Sequence, residues 1–358
     1  MMLAPLLALA AAAAPAGLPG VWAGNIGNLP VRACFVQRQR GSFGAYYYLA
    51  RGRTIPLSTE EGSGGIFFEG APAGRLHWRI DSAGASTLRG QWSGNGRTLP
   101  IRLARIAGAG SEEGPCASLA FHRPRLEGVR IVRTRGSVDG VSYTKLALDT
   151  GGRFETSFET FALDGDGAAA RRINAVLGQA LAGDPPQWLE CARDSLGQSP
   201  FEGSFDESLA PRMISRRWLS VAHHWDGFCG GAHPDSSNSY RLFDLARGRE
   251  VDLFDWLNET AVHREGPRGS DEEIKTLQPA FRDAILSGWR PDQADCEEVI
   301  RSSEFWNIGL ARDGFIVEPS LPHVVQACGE TFTLSFDRLR PFLTEEGAAN
   351  LAALRAEP

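Results

Sequence analysis

Apolar and polar positions alternate with a strand's period over much of this chain, and with a helix's period over a few stretches only. The clearest alternation lies in Arg217–Leu257. Leu219, Val221, His223 and Trp225 fall on one side and Ser220, Ala222 and His224 on the other, the pattern of a half-buried strand. Cys229-Gly230-Gly231-Ala232-His233-Pro234 interrupts it, two glycines allowing positive φ and Pro234 setting the exit. A second strand is predicted from Tyr240 to Leu245, and Ala246-Arg247-Gly248 suits a three-residue hairpin loop with Gly in the left-handed position. Val251 and Leu253 continue the returning strand, and Asp255 is placed to cap the next segment.

Upstream, Gly20 to Arg105 divides into short strands and turns. Gly20-Val21-Trp22-Ala23-Gly24-Asn25 leads to Leu29-Pro30-Val31-Arg32, and Gly90-Gln91-Trp92-Ser93-Gly94-Asn95 leads to Leu99-Pro100-Ile101-Arg102. Trp-to-Pro spacing is the same in both. Each predicts a hairpin: a strand carrying Trp, an Asn/Gly turn, and a strand entered through Pro. With Phe43–Leu49, Ile66–Glu69 and Leu76–Ile80 between them, the pattern predicts a small antiparallel barrel or curled sheet, its ends plugged by Trp22 and Trp92. Tyr46, Tyr47 and Tyr48 point alternately in and out, so an exposed one is a candidate platform for a sugar.

Ala107 to Pro124, rich in Gly, Ser and Glu, predicts a linker. Strands follow over Val129–Asp149 and Gly152–Leu163. Asp164-Gly165-Asp166-Gly167 lacks the glycine and acidic ligand that a calcium loop needs, which leaves N-capping of the next segment. Ala168–Leu181 predicts an amphipathic helix on Ile173, Val176, Leu177 and Leu181, closed by Asp184-Pro185-Pro186. Ser270-Asp271-Glu272-Glu273 resembles a capping box and predicts a helix to Trp289, buried through Ile274, Leu277, Phe281 and Ile285. A hairpin over Phe305–Leu310 and Gly314–Val317, a strand at Glu330–Phe336 and a closing helix over Leu339–Leu354, broken after Leu343, complete the pattern. The fold class is α+β: an N-terminal small antiparallel barrel or curled sheet and a C-terminal mixed antiparallel sheet with helices. The expected layout is a signal peptide at 1–16, an all-β module at 17–107, a linker at 108–126 and an α+β domain at 127–346.

At 358 residues the chain can bury two separate cores. A net charge of −6 argues against nucleic-acid binding, which requires a basic face. Met1–Gly17 is apolar and ends in Ala14-Pro15-Ala16, an A-x-A cleavage pattern without a basic n-region; a buried first helix is the alternative. No later run approaches the length of a membrane span. Six cysteines in an exported chain predict disulfides. Six admit many pairings; chain order makes Cys34–Cys116, Cys191–Cys229 and Cys296–Cys328 the simplest, against free buried thiols in a cytoplasmic protein.

Two resemblances rest on these residues. The G-x-W-x-G opening, the Tyr46–Tyr48 strand, Ile55-Pro56-Leu57 and the Trp92 hairpin together resemble a small β module found beside other domains in bacterial exported proteins. Ile173-Asn174, Leu219-Ser220-Val221, Gly230-Gly231-Ala232-His233, Phe243-Asp244-Leu245 with Gly248, the Phe305…Leu310…Asp313-Gly314-Phe315 hairpin and Phe332–Phe336 before Leu339–Leu343 follow in an order that resembles a known extracytoplasmic domain. It is the domain of unknown function shared by the RsiV anti-sigma factor and the PdaC peptidoglycan deacetylase, here over 124–343. The resemblance implies a mixed α+β domain with an antiparallel sheet, and no activity. In RsiV-like proteins the domain is a sensor that binds lysozyme; in the deacetylase the chemistry belongs to a separate domain. Ser204-Phe205-Asp206-Glu207-Ser208 echoes that domain's first motif, without the H-x-x-x-H pair that should follow.

His223, His224, Cys229, His233 and Asp235 lie close together, but neighbouring strand residues face opposite ways and Cys229 is assigned to a disulfide. No metal and no cofactor are expected. His233 is expected to hydrogen-bond within its turn or to present a polar contact, and with Asp235 and Tyr240 it forms the candidate binding set. There is no G-x-S-x-G, H-E-x-x-H or phosphate loop, and acids such as Glu155 and Glu159 suit a solvated surface, so no catalytic residue is assigned. The expectation is a periplasmic or secreted, non-catalytic protein binding an envelope protein (lysozyme-like) or peptidoglycan. The alternatives are a cell-wall glycan hydrolase or deacetylase with its site between the modules, and a structural periplasmic factor.

Overall fold

The computed structural model describes residues 17–39, 41–60, 65–70, 76–291 and 294–357; the leader expected at 1–16 lies outside them. Eight antiparallel strands form a closed N-terminal barrel: β1 (Gly20–Ile26), β2 (Leu29–Arg38), β3 (Gly41–Tyr48), β4 (Ile55–Ser58), β5 (Ile66–Glu69), β6 (His77–Ala83), β7 (Thr87–Gly94) and β8 (Arg97–Arg105). The two Trp hairpins are β1–β2 and β7–β8, and they meet where β1 pairs with β8. Asn95 and Gly96 turn the second with φ of 52° and 73°, the two-residue turn whose twist matches the strands it joins. Trp22, Phe35, Tyr46, Phe67 and Trp78 are buried in the interior, so the barrel is packed with side chains. Trp22 donates to the Leu18 carbonyl at 2.9 Å, and the Arg105 guanidinium lies 4.1 Å over its ring. Trp92 is half-buried and shares the Glu69 carboxylate with the Tyr46 hydroxyl, each donating at 2.6 Å.

Tyr47 points out of the barrel but is fully buried, which removes it as a sugar platform. The segment expected as a bare linker covers it. A turn at Pro115–Ala117 and helix α1 (Leu119–Leu126) pack on the barrel, and Phe121 accepts the Tyr47 hydroxyl at 2.6 Å. Pro124 sits inside α1 and cannot donate to the Ala120 carbonyl; the Arg32 guanidinium donates there instead, at 2.8 Å. The Cys34–Cys116 disulfide lies in a small apolar cluster with Val21, Val36, Phe43 and Leu196.

The second module is built on β9 (Arg130–Val138), β10 (Val141–Asp149), β11 (Thr156–Leu163), β12 (Ser204–Ile214), β13 (Trp218–Phe228), β14 (Asp235–Asp244) and β15 (Arg249–Val251), which form one sheet in the order β15-β14-β13-β12-β11-β10-β9. Only β11–β12 is parallel, so the chain must cross over between them, and α2 (Ala168–Leu177) and α3 (Glu190–Gln198) make that crossing. α2 and the turn that leads into α3 bury Ile173, Leu177 and Leu189 against Leu219, Val221 and Phe243. Trp218 and Leu242 alternate with those residues and face the other core. That core is completed by the hairpin β16 (Val262–Glu265) and β17 (Ile274–Leu277), the sheet β18 (Trp306–Leu310), β19 (Gly314–Pro319) and β20 (Phe332–Ser335), and helices α4 (Pro279–Leu286), α5 (Ala294–Ser302), α6 (Phe336–Leu339) and α7 (Glu345–Arg355). The fold is α+β, as the alternation predicts.

Several local expectations are corrected. The helix expected from Ser270 to Trp289 is a strand, β17, followed by the short α4: Pro279 takes the first helical position, and Ile274 is 49% exposed. Leu277, Phe281 and Ile285 are buried, but on two elements. Asp164 does not cap α2; its carboxylate takes Arg135 and Thr144, and Gly167 occupies the N-cap. Asp252, not Asp255, caps the turn after β15, accepting from the Phe254 N–H at 3.0 Å. β14 starts at Asp235, five residues before Tyr240.

Candidate functional site

β14 is paired along its whole length with β13 but with β15 only over Leu242–Asp244. The N-terminal half of its outer side therefore needs other partners. Leu245 donates to Arg217 at 2.7 Å, which makes that pair hydrogen-bonded and, by alternation, sends the peptide groups of Ser236, Asn238 and Tyr240 outward. Two of those carbonyls are met by side-chain amides from the C-terminal elements: Gln326 donates to Ser236, and Asn307 to Asn238 at 2.7 Å. Tyr240 packs its ring against the Gly309 backbone, where a Cβ would come within 2.6 Å of the ring. Its hydroxyl donates to Glu318 at 2.7 Å; burial first, and then that carboxylate, push the phenol above its ordinary pKa.

Two polar cavities flank this edge, and Asn307 borders both. One, of about 220 Å³, lies between Ser236–Asn238 and Glu318–Leu321. The other, of about 390 Å³, opens where β15 turns away from β14, between Tyr240, Arg241 and the Asn307–Leu310 backbone. Its far wall is charged. Lys275 lies 2.5 Å from Asp252 and 3.5 Å from Glu273, Glu273 takes Arg264 at 2.5 Å, and Arg241 pairs with Glu250. The Gly269 N–H and the Arg264 guanidinium hold the Glu273 carboxyl at about 2. Opposite charges, amides and an aromatic phenol around one slot suit a polar, hydrogen-bonding ligand.

The candidate binding residues fall at one end of this edge but are not one cluster. His233 is exposed; its Nδ1 lies 2.9 Å from the Pro234 carbonyl, and its ring stacks on His323 at 4.5 Å. Asp235 accepts from the Ser236 N–H at 2.9 Å, an Asx contact that opens β14. Of the three, Tyr240 alone borders the larger cavity. Asn307, Glu318 and Gln326 complete the edge, and each is a lone polar residue without a motif.

His223 and His224 face opposite ways. His223 lies between Glu207, 2.8 Å from Nε2, and the Ser239 hydroxyl, 3.3 Å from Nδ1; His224 meets Asn238 at 2.8 Å. Cys229 is bonded to Cys191, and Cys296 to Cys328. Glu155 and Glu159 lie in exposed pairs with Arg53 and Lys145. At the junction between the modules, buried Arg125 takes both oxygens of Glu202 at 2.5 and 2.8 Å, the Gly52 carbonyl at 2.6 Å and the Phe154 ring at 3.8 Å. His122, also buried, lies 3.2 Å from Arg125, and burial holds its pKa well below 6.5. Among the described residues, no helix is long and apolar enough to cross a membrane, and no group of three or more His, Cys, Asp or Glu is placed to hold a metal ion.

No protein-family model matches the chain, and no curated protein matches it. Solved structures do. A DUF3298 family protein from Pseudomonas aeruginosa is 13% identical, with 61% of this chain and 95% of that chain covered and a TM-score of 0.35. A DUF3298 family member from Bacteroides fragilis is 11% identical, with 64% and 96% covered and a TM-score of 0.38. The structural neighbours of this chain are thus DUF3298 family proteins.

Proposed function

We propose that this protein is an exported, periplasmic or secreted, non-catalytic binding module, and that its ligand is an envelope protein of the lysozyme kind or peptidoglycan. The observation that carries this reading is the outer side of β14, where Tyr240 borders one polar cavity, Ser236–Asn238 line a second, and Asn307 lies between the two. Three disulfides suit an oxidising compartment. The resemblance of Gly230–His233 and Phe243–Gly248 to the RsiV/PdaC-type domain supports an envelope ligand. Pull-down of purified lysozyme, and separately of isolated peptidoglycan, by the intact protein and by Tyr240→Ala tests it. Retention of one ligand, weakened in the variant, is expected; retention of neither contradicts the reading.

One arrangement favours a second reading. Ser239, His223 and Glu207 form a hydrogen-bonded chain at 3.3 and 2.8 Å, the order of groups in a serine hydrolase. They sit on three neighbouring strands on one sheet face, a setting in which cross-strand polar pairs also form for stability. Release of sugar or acetate from peptidoglycan, lost on both Ser239→Ala and His223→Ala, would establish the hydrolase and sink the non-catalytic reading.

A further inference from the structure

The opposite edge of the seven-stranded sheet is β9, and the turn that joins it to β10 fixes which of its peptide groups point outward. Asp139 and Gly140, with φ of 52° and 76°, make a two-residue turn, so Val138 and Val141 form a hydrogen-bonded pair. Alternation from there gives the even-numbered residues of β9 to β10 and sends the peptide groups of Ile131, Arg133, Arg135 and Ser137 outward. An independent contact agrees. The Asn174 side chain takes both the N–H and the C=O of Leu163, at 2.8 and 3.0 Å, so Leu163 does not exchange bonds with Tyr143, which is left to exchange them with Gly136.

Elsewhere in this sheet some outward peptide groups are met by amide side chains: Asn174 takes both groups of Leu163, and Asn307 and Gln326 take the carbonyls of Asn238 and Ser236. Among the described residues no side chain does this for β9. Its C-terminal end packs against β12, where Asp139 takes the Ile214 N–H and Arg312. Along the rest of the strand β9 carries no usual edge defence other than charge, its pairing with β10 running nine residues without Pro and without a register shift. Two of the three arginines of β9 share one face; on the Val132 face, Arg130 is paired with Asp149 and Lys145 of β10 with Glu159. Arg133 and Arg135 lie two apart on one face of the strand; Arg135 pairs with exposed Asp164, and Arg133 meets no carboxylate among the described residues. On the other face Val132 is 41% exposed and Val141 40%.

We infer that β9 is a β-augmentation site for an extended acidic segment of another protein, with carboxylates at alternate positions against Arg133 and Arg135. The residue between those carboxylates faces the Val132 side and is apolar or β-branched. Backbone bonds to the four outward peptide groups supply the common part of the affinity, and the two arginines supply the selection. Pairing of β9 with β9 of a second copy would set arginines against arginines, so the same charges oppose self-association.

The test is titration of the intact protein with two synthetic peptides, one alternating Glu with Val and one alternating Lys with Val, followed by amide exchange. The Glu peptide is expected to bind and to slow exchange at Ile131, Arg133, Arg135 and Ser137. Arg133→Pro deletes one outward N–H while leaving the β10 ladder whole, and should abolish binding. Arg133→Glu with Arg135→Glu should move the preference by about tenfold or more toward the Lys peptide. Near-ultraviolet circular dichroism shows whether each variant is folded. Equal affinity for both peptides, protection at β14 in place of β9, unchanged binding by folded Arg133→Pro, or dimerisation through β9 would each overturn the inference.

Discussion

The two modules solve the same problem in opposite ways. In the barrel, β1 meets β8 and no strand is left with a free side; Trp22, Phe35 and Trp78 fill the inside. In the second module the sheet stays open: Asn174, Asn307 and Gln326 meet some of its outward peptide groups, and those of β9 meet no side chain among the described residues. A closed, packed wall has few backbone groups to offer a ligand. An open sheet has them at both borders, and the cavities beside Tyr240 lie at one of these. On the proposed reading, recognition belongs to the second module, and the barrel is its companion, joined through Arg125 and Glu202.

The largest expected effects lie where the barrel is filled and where the modules join. Trp22→Ala removes a fully buried ring and should cost about 3–5 kcal/mol in urea unfolding, with ligand retention by the folded fraction unchanged. A barrel variant that abolished retention while folded would break the contrast. Glu202→Ala strands a buried guanidinium and should cost about 3–5 kcal/mol, whereas exposed Glu155→Ala should cost less than about 1 kcal/mol. Replacing Cys34 and Cys116 together by Ser opens a loop spanning 82 residues and should cost about 2–5 kcal/mol, lowering the urea midpoint.

Smaller effects sharpen the comparison through pH. His122 is neutral when folded and takes a proton near 6.5 when unfolded, so its contribution is intact above that pH and declines below it. His122→Gln should flatten stability against pH in that range, with wild type as the reference. Glu273 shifts the other boundary. Its contribution is present above about 4.5 and is lost as pH falls toward about 2, so Glu273→Gln should flatten the acid limb alone. Smallest of all, Asn307→Ala and Gln326→Ala should each cost about 0.5–1.5 kcal/mol and speed amide exchange on β14.

How far pattern alone reveals this fold depends on how local each interaction is. The barrel was legible because its hairpins are short-range: Asn95-Gly96 and the paired Trp…Pro segments mark the turns and strand entries within a dozen residues. Cysteine order matches the bonds in the structure because each bridge closes on the next cysteine along. β12 and α3 were not legible, since β12 pairs in parallel with a strand some forty residues upstream and needs a crossover to reach it. The Ser270–Trp289 error shows how apolar spacing misleads: Leu277, Phe281 and Ile285 repeat every four residues, yet Pro279 starts the helix and Ile274 belongs to a hairpin. At the candidate site Tyr240 could be named from its strand. Asn307, Glu318 and Gln326 could not, because each reaches β14 from a distant element and carries no motif.

The most direct test of the central claim is hydrogen–deuterium exchange on the intact, oxidised protein with and without saturating ligand, lysozyme or soluble peptidoglycan fragments, whichever is retained. Slowed exchange is expected at Ser236–Tyr240 and Asn307–Leu310, with the barrel strands unchanged. Slowing confined to β1–β8, with β14 and β18 unaffected, would contradict it.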